Sequence, residues 1–170
     1  MTLPSAGAAL VAATALHLGF QLVVTVLVYP ALARVPADRW PVEHIQHSRR
    51  VTPVVGVVYG LLLVAGASVL VARPSGAQVA SLVAVGAAML VTATVAAPVH
   101  SRLGGPAVPA ATSPAPPDVA SAPLAPSGSA REQAGAMSGP EPTLLRRLLL
   151  ADRVRLVLAL VAALLALAGS

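Results

Sequence analysis

Four apolar stretches, each long enough to cross a bilayer, dominate this 170-residue chain and leave little room for another kind of fold. They run over residues 6–28, 51–72, 77–99 and 144–168. At 1.5 Å per residue, segments of roughly 20–25 residues cover a hydrocarbon core about 30 Å thick. The fourth is the least regular. Its uncharged part, Leu156 to Ala168, holds only 13 residues, so the helix spans only if it also takes in Asp152, Arg153 and Arg155. Composition agrees with a multi-span membrane protein: 56% of residues are hydrophobic, 10% are charged, and the mean hydropathy is +0.82. No soluble domain of this size has that balance. The absence of cysteine excludes disulfides, iron–sulfur clusters and thiolate metal sites. The first stretch lacks a basic segment before it and runs well past a signal-peptide core, so it reads as a retained span.

All eleven basic residues are arginine, and their distribution sets an orientation. Arg34, Arg39, Arg49 and Arg50 fall in the first connection. Arg102 and Arg131 fall in the third, which leads into Arg146 and Arg147. The second connection holds only Arg73, and neither tail holds any. By the positive-inside rule, connections one and three are cytoplasmic and both termini lie outside. Because the arginines flank spans instead of forming a basic face, the net charge of +5 signals orientation and not nucleic-acid binding. The Ala/Val/Leu/Pro/Arg bias points to a GC-rich bacterial genome, hence to a bacterial cytoplasmic membrane.

The fold expected is all-α: an antiparallel four-helix transmembrane bundle with a short interfacial helix and a disordered cytoplasmic loop. The short helix belongs to residues 37–50, lying at the interface or leading into span two, with Asp38 as cap, Pro41 in the first turn and a break before Pro53. The loop is 104–142, where Pro, Ala, Ser and Gly dominate and no apolar period can offset the entropy of ordering. No internal repeat is visible, which leaves an inverted-repeat transporter unsupported.

Polar residues inside the spans carry the functional signal. Thr14, His17, Gln21 and Thr25 recur at helical spacing in span one and share one face. Groups of this kind must face protein or water within a bilayer. Counting 1.5 Å per residue from the cytoplasmic ends, Gln21, Tyr59 and Arg155 each lie about 12 Å deep, Asp152 about 8 Å and His17 about 18 Å. Thr92 falls in the same half of span three. These residues outline a polar cup, with His100 at its mouth near His44 and His47. A purely structural reading stands beside the functional one: His17 and Gln21 as interhelical hydrogen-bond glue, and Asp152 with Arg155, three apart on one face, as a packing ion pair. His44 and His47 share a helical face that would suit metal ligands, but no acidic cluster accompanies them. Only His17 is deep enough for haem, so neither metal nor haem is expected and no cofactor is assigned.

Several short motifs resemble a family. A Gln in span one is followed by Tyr29-Pro30 at its end, then His44 and His47 with Pro53. Span three closes on Pro98-x-His100-x-x-Leu103, and Asp152-Arg153-x-Arg155 opens span four. This pattern resembles uncharacterised bacterial four-span membrane proteins and, distantly, the anthrone-oxygenase-like superfamily, in which a Pro-x-Asn-x-x-Leu-like motif closes span three. The matching positions are Pro98, His100, Leu103 and Arg155. The resemblance implies the four-span fold, and oxygenase chemistry in some members.

Two function classes follow. One is an oxygenase-like or redox enzyme acting on a small lipophilic substrate. There His17 or His100 accepts a proton, Arg155 steadies an oxyanion with Asp152 orienting it, and Gln21, Tyr59 and Thr92 hold the ligand. The other is a non-catalytic accessory or structural subunit. The expected partners are the lipid bilayer and a lipophilic small molecule, with a homodimer left open.

Overall fold

A computed structural model describes residues 5–36, 38–103 and 141–170. Within them the protein is helical, with no strand. Helix α1 spans Ala6–Leu32, α2 spans Trp40–Val71, α3 spans Gly76–Leu103, and α4 spans Pro142–Ala168. The first three are long and apolar enough to cross a membrane, which marks a membrane protein. α4 is 27 residues long but carries Asp152, Arg153 and Arg155 within its length.

The helix starts follow local chemistry. Ser5 Oγ accepts the Ala8 N–H at 3.2 Å and caps α1. Ser75 and Gln78 form a reciprocal capping box at the start of α3. Arg73, in the tight turn before it, adopts φ 61°, a left-handed conformation that non-glycine residues rarely take.

α1 and α3 share an internal irregularity. Over Val24–Val28 and Thr92–Ala96 each widens into a π turn, where Tyr29 N–H bonds Val24 O and Ala97 N–H bonds Thr92 O. In each case proline follows one residue later, at Pro30 and Pro98. A proline ring has no N–H and crowds the carbonyl four residues back, and the wider turn relieves that crowding without ending the helix. Both helices therefore run past the ends expected at 28 and 99, to Leu32 and Leu103.

The helix expected over 37–50 leads directly into span two, and its expected break and cap need correction. No break precedes Pro53, and α2 is one helix from Trp40 through Pro53 to Val71. Asp38 does not cap it; Arg39 holds that position without a side-chain hydrogen bond, although Pro41 does sit in the first turn. The first turns of α2 dock on the end of α3, where Trp40 Nε1 donates to Leu103 O at 3.0 Å. That tertiary packing overrides the local preference of Pro53. The expected disordered loop lies outside the described residues, except for Glu141 and Pro142, which open α4.

At one end, Tyr29, Leu32, Trp40, Val99, Leu103 and Leu148 form a buried apolar cluster beside the exposed arginines. Leu10, Val69 and Ala166 close the other end. α4 packs closely on α3 and α1, and α2 packs chiefly on α1. Small residues permit the close approach: α4 buries Ala159, Ala162, Ala163 and Ala166, α3 buries Ser81, Ala84 and Ala88, and Ser81 Oγ donates to Ala162 O at 2.8 Å. Large apolar side chains point outward, including Leu27, Val57, Leu63, Val64 and Leu90. Thr14, His17, Gln21, Ser81, Asp152 and Arg155 point inward. Polar inside and apolar outside is the arrangement that lipid demands.

Candidate ligand site

Spacing on α1 and α4 brings two polar faces together. Gln21 and Thr25 are one turn apart on α1, and Asp152 and Arg155 three apart on α4. The Asp152 carboxylate accepts hydrogen bonds from Gln21 Nε2 at Oδ1 and from Thr25 Oγ1 at Oδ2. Arg155 Nη2 donates to Asp152 Oδ1 at 3.2 Å and to Gln21 Oε1 at 3.1 Å. Gln21 thus uses both ends of its amide inside this network and is fully buried. Thr14 bonds back to Leu10 O at 2.9 Å. The carboxylate accepts three hydrogen bonds and lies against the Arg155 guanidinium, so the network clamps α1 to α4.

On its other side Arg155 borders a cavity. Arg155 is 6% exposed, and its Nε makes no hydrogen bond. The guanidinium forms part of the wall of a cavity of about 240 Å³. Phe20, Val24 and Tyr29 of α1 back this cavity, Val51 and Val55 of α2 and Ala96 of α3 form apolar walls, and Tyr59, Thr92, His47 and His100 add polar groups. The volume equals about eight waters, room for a single substituted ring system or a short chain. Tyr59 Oη and Thr92 Oγ1 are 2.7 Å apart, and Thr92 also donates to Ala88 O.

At the arginine-rich end, His100 Nε2 lies 3.1 Å from Ser48 Oγ, while its Nδ1 has no partner. The His44 ring is 4.4 Å from His100 and 5.4 Å from Trp40, and His47 is 5.8 Å from His100. Among the described residues, no group of three or more His, Asp or Glu is arranged to hold a metal ion.

The expected site residues therefore separate into three groups. His100, Arg155, Tyr59 and Thr92 share the cavity. Asp152 and Gln21 lie behind Arg155 and hold it. His17 does not line the cavity: it is fully buried, packs edge-on against Tyr59 at 5.6 Å, and leaves both ring nitrogens unpartnered. Of the two metal candidates, His47 lines the cavity and His44 is buried between Trp40 and His100 beside it. Sequence reasoning missed the walls (Phe20, Val24, Val51, Val55, Ala96) and Ser48. Pro30 and Pro98 were the available signals, because each follows a π turn that borders the cavity.

No family model, curated protein or solved structure matches this chain.

Proposed function

We propose that this is a four-span antiparallel bundle of the bacterial cytoplasmic membrane, with both termini outside, that binds a small lipophilic molecule in the cytoplasmic half of the bundle. Four helices whose ends alternate, and arginines gathered where α1 and α3 end and α2 and α4 begin, support that topology. The observation that carries the ligand reading is Arg155: a residue only 6% exposed, held by Asp152 and Gln21, with a buried Nε that has no partner, set in the wall of a largely apolar cavity. A buried donor without a partner is costly, and a ligand oxygen would relieve that cost.

The chemistry this arrangement suits is proton removal from a lipophilic acid. His100 accepts the proton, Arg155 steadies the anion, Asp152 and Gln21 fix the guanidinium, and the Tyr59 oxygen, held by Thr92, accepts a hydrogen bond from the ligand. That is consistent with an oxygenase-like or redox enzyme, for which dioxygen would be the oxidant, and with the motif resemblance at Pro98, His100, Leu103 and Arg155. A non-catalytic subunit is the second reading. It draws its support from the mutual saturation of Gln21, Thr25 and Asp152, which has the form of helix-packing glue.

Fluorescent 2-naphthol, an acidic two-ring alcohol of suitable size, is the probe. Wild-type protein in nanodiscs should bind it saturably. Arg155→Leu and His100→Ala should each weaken binding at least tenfold while eluting as folded protein. Two folded variants that bind 2-naphthol as wild type does would overturn the ligand reading and favour the structural one.

A further inference from the structure

We infer that the cavity fills sideways from the bilayer, through a portal between α2 and α3 with Thr52 and Ala97 at its lip. The ligand is then a molecule dissolved in the membrane and not one delivered from water. This deepens the ligand-site reading and rests on it.

The geometry of the walls is the first support. His47, Val51, Val55 and Tyr59 recur every four residues on one face of α2, and Thr92, Ala96 and His100 do the same on α3. The cavity is therefore a slot running lengthwise between these two helices, about 18 Å long from the rise of α2 between His47 and Tyr59. α2 and α3 are the neighbours that pack on each other least. Two hydrogen bonds bracket the slot, Tyr59 to Thr92 at the deep end and Ser48 to His100 at the shallow end. Between them no hydrogen bond joins α2 to α3 among the described residues.

The lip is apolar. Thr52 and Ala97 are exposed and line the slot. The Thr52 hydroxyl is turned back onto Ser48 O at 2.8 Å, so it does not serve the opening. Beside the lip, Val54, Val57 and Val95 are 46%, 62% and 37% exposed, a surface that lipid chains would cover.

The axial route is plugged. Trp40 and His44 are each 3% exposed and Leu103 is 6% exposed. Trp40 donates to Leu103 O and packs at a tilt against His44, which packs at a tilt against His100. A molecule arriving past Trp40 and Leu103 must part these contacts, and one arriving past His47 must displace its ring, whereas one arriving between α2 and α3 meets Thr52 and Ala97 at the lip.

The absence of cysteine makes the test clean, because a single introduced Cys reports alone. A nitroxide at Ala97→Cys in liposomes is compared with lipid-facing Val57→Cys and with Arg50→Cys at the aqueous end, using oxygen and a nickel chelate as collision partners. The portal predicts that Ala97→Cys behaves like Val57→Cys; behaviour like Arg50→Cys overturns it. Next, Ala97→Trp and Thr52→Trp should slow both 2-naphthol association and dissociation at least tenfold, since a bulky lip obstructs the path. Unchanged rates in folded variants overturn the portal. If wild-type protein fails to bind 2-naphthol, the ligand-site reading falls, and the nitroxide comparison alone decides whether the lip faces lipid.

Discussion

Replacing Asp152 with leucine should cost far more than the loss of one salt bridge. Asp152 is 1% exposed, and its carboxylate serves three donors at once, from Gln21, Thr25 and Arg155. Asp152→Leu leaves Arg155 charged, buried and held only by Gln21 Oε1. Breaking a buried pair from one side costs about 3–5 kcal/mol, because the surviving charge has lost its counterion. Arg155→Leu has the mirror effect, softened because Gln21 and Thr25 still donate to the carboxylate, and should cost about 2–3 kcal/mol. The double variant removes both charges and should cost less than Asp152→Leu alone, since a buried pair and an apolar replacement are often close in energy. A double-mutant cycle on unfolding in mixed detergent micelles, read by far-UV circular dichroism, isolates the coupling, expected to be at least about 2 kcal/mol. Additive single effects within about 0.5 kcal/mol would refute the reasoning, because they would mean that the two side chains do not share one buried network.

Two further outcomes follow from packing and backbone. Gly169→Val should destabilise the protein by about 1–3 kcal/mol in the same assay, because even a Cβ there would sit 2.8 Å from Ser75 Oγ and 3.2 Å from the Gln78 backbone nitrogen, prising the end of α4 from the start of α3. Arg73→Gly should stabilise by up to about 1 kcal/mol, since glycine takes φ 61° without steric cost, and Arg73→Val should destabilise.

Helix rise alone placed Gln21, Tyr59, Thr92, Asp152 and Arg155 at one level, and these side chains do come together around Arg155, because an ionisable or amide group in an apolar helix has few places to point. What depth cannot supply is rotation. Whether Gln21 faced a ligand or Asp152 depended on the mutual azimuth of α1 and α4, and His17, on the same stripe, ended behind Tyr59 instead of in the cavity. Pro53 misled for a related reason. The preference against helix before proline is local, whereas Trp40, His44 and Ser48 dock α2 on α3 over a longer reach. The cavity walls were illegible, since Val51, Val55 and Ala96 read alike whether they face lipid, a neighbour or an empty slot. The π turns left only Pro30 and Pro98 as marks, and proline alone does not distinguish a kink, an end and a widened turn.

The most direct test of the central claim is photolabelling with a diazirine derivative of 2-naphthol in membranes containing the protein, followed by peptide mapping. The account predicts adducts on the inward faces of α2 between Val51 and Tyr59 and of α3 between Thr92 and His100, suppressed by excess 2-naphthol and lost in Arg155→Leu. Adducts spread over the outward faces, at Val57, Leu63 or Leu90, and insensitive to competitor would contradict it.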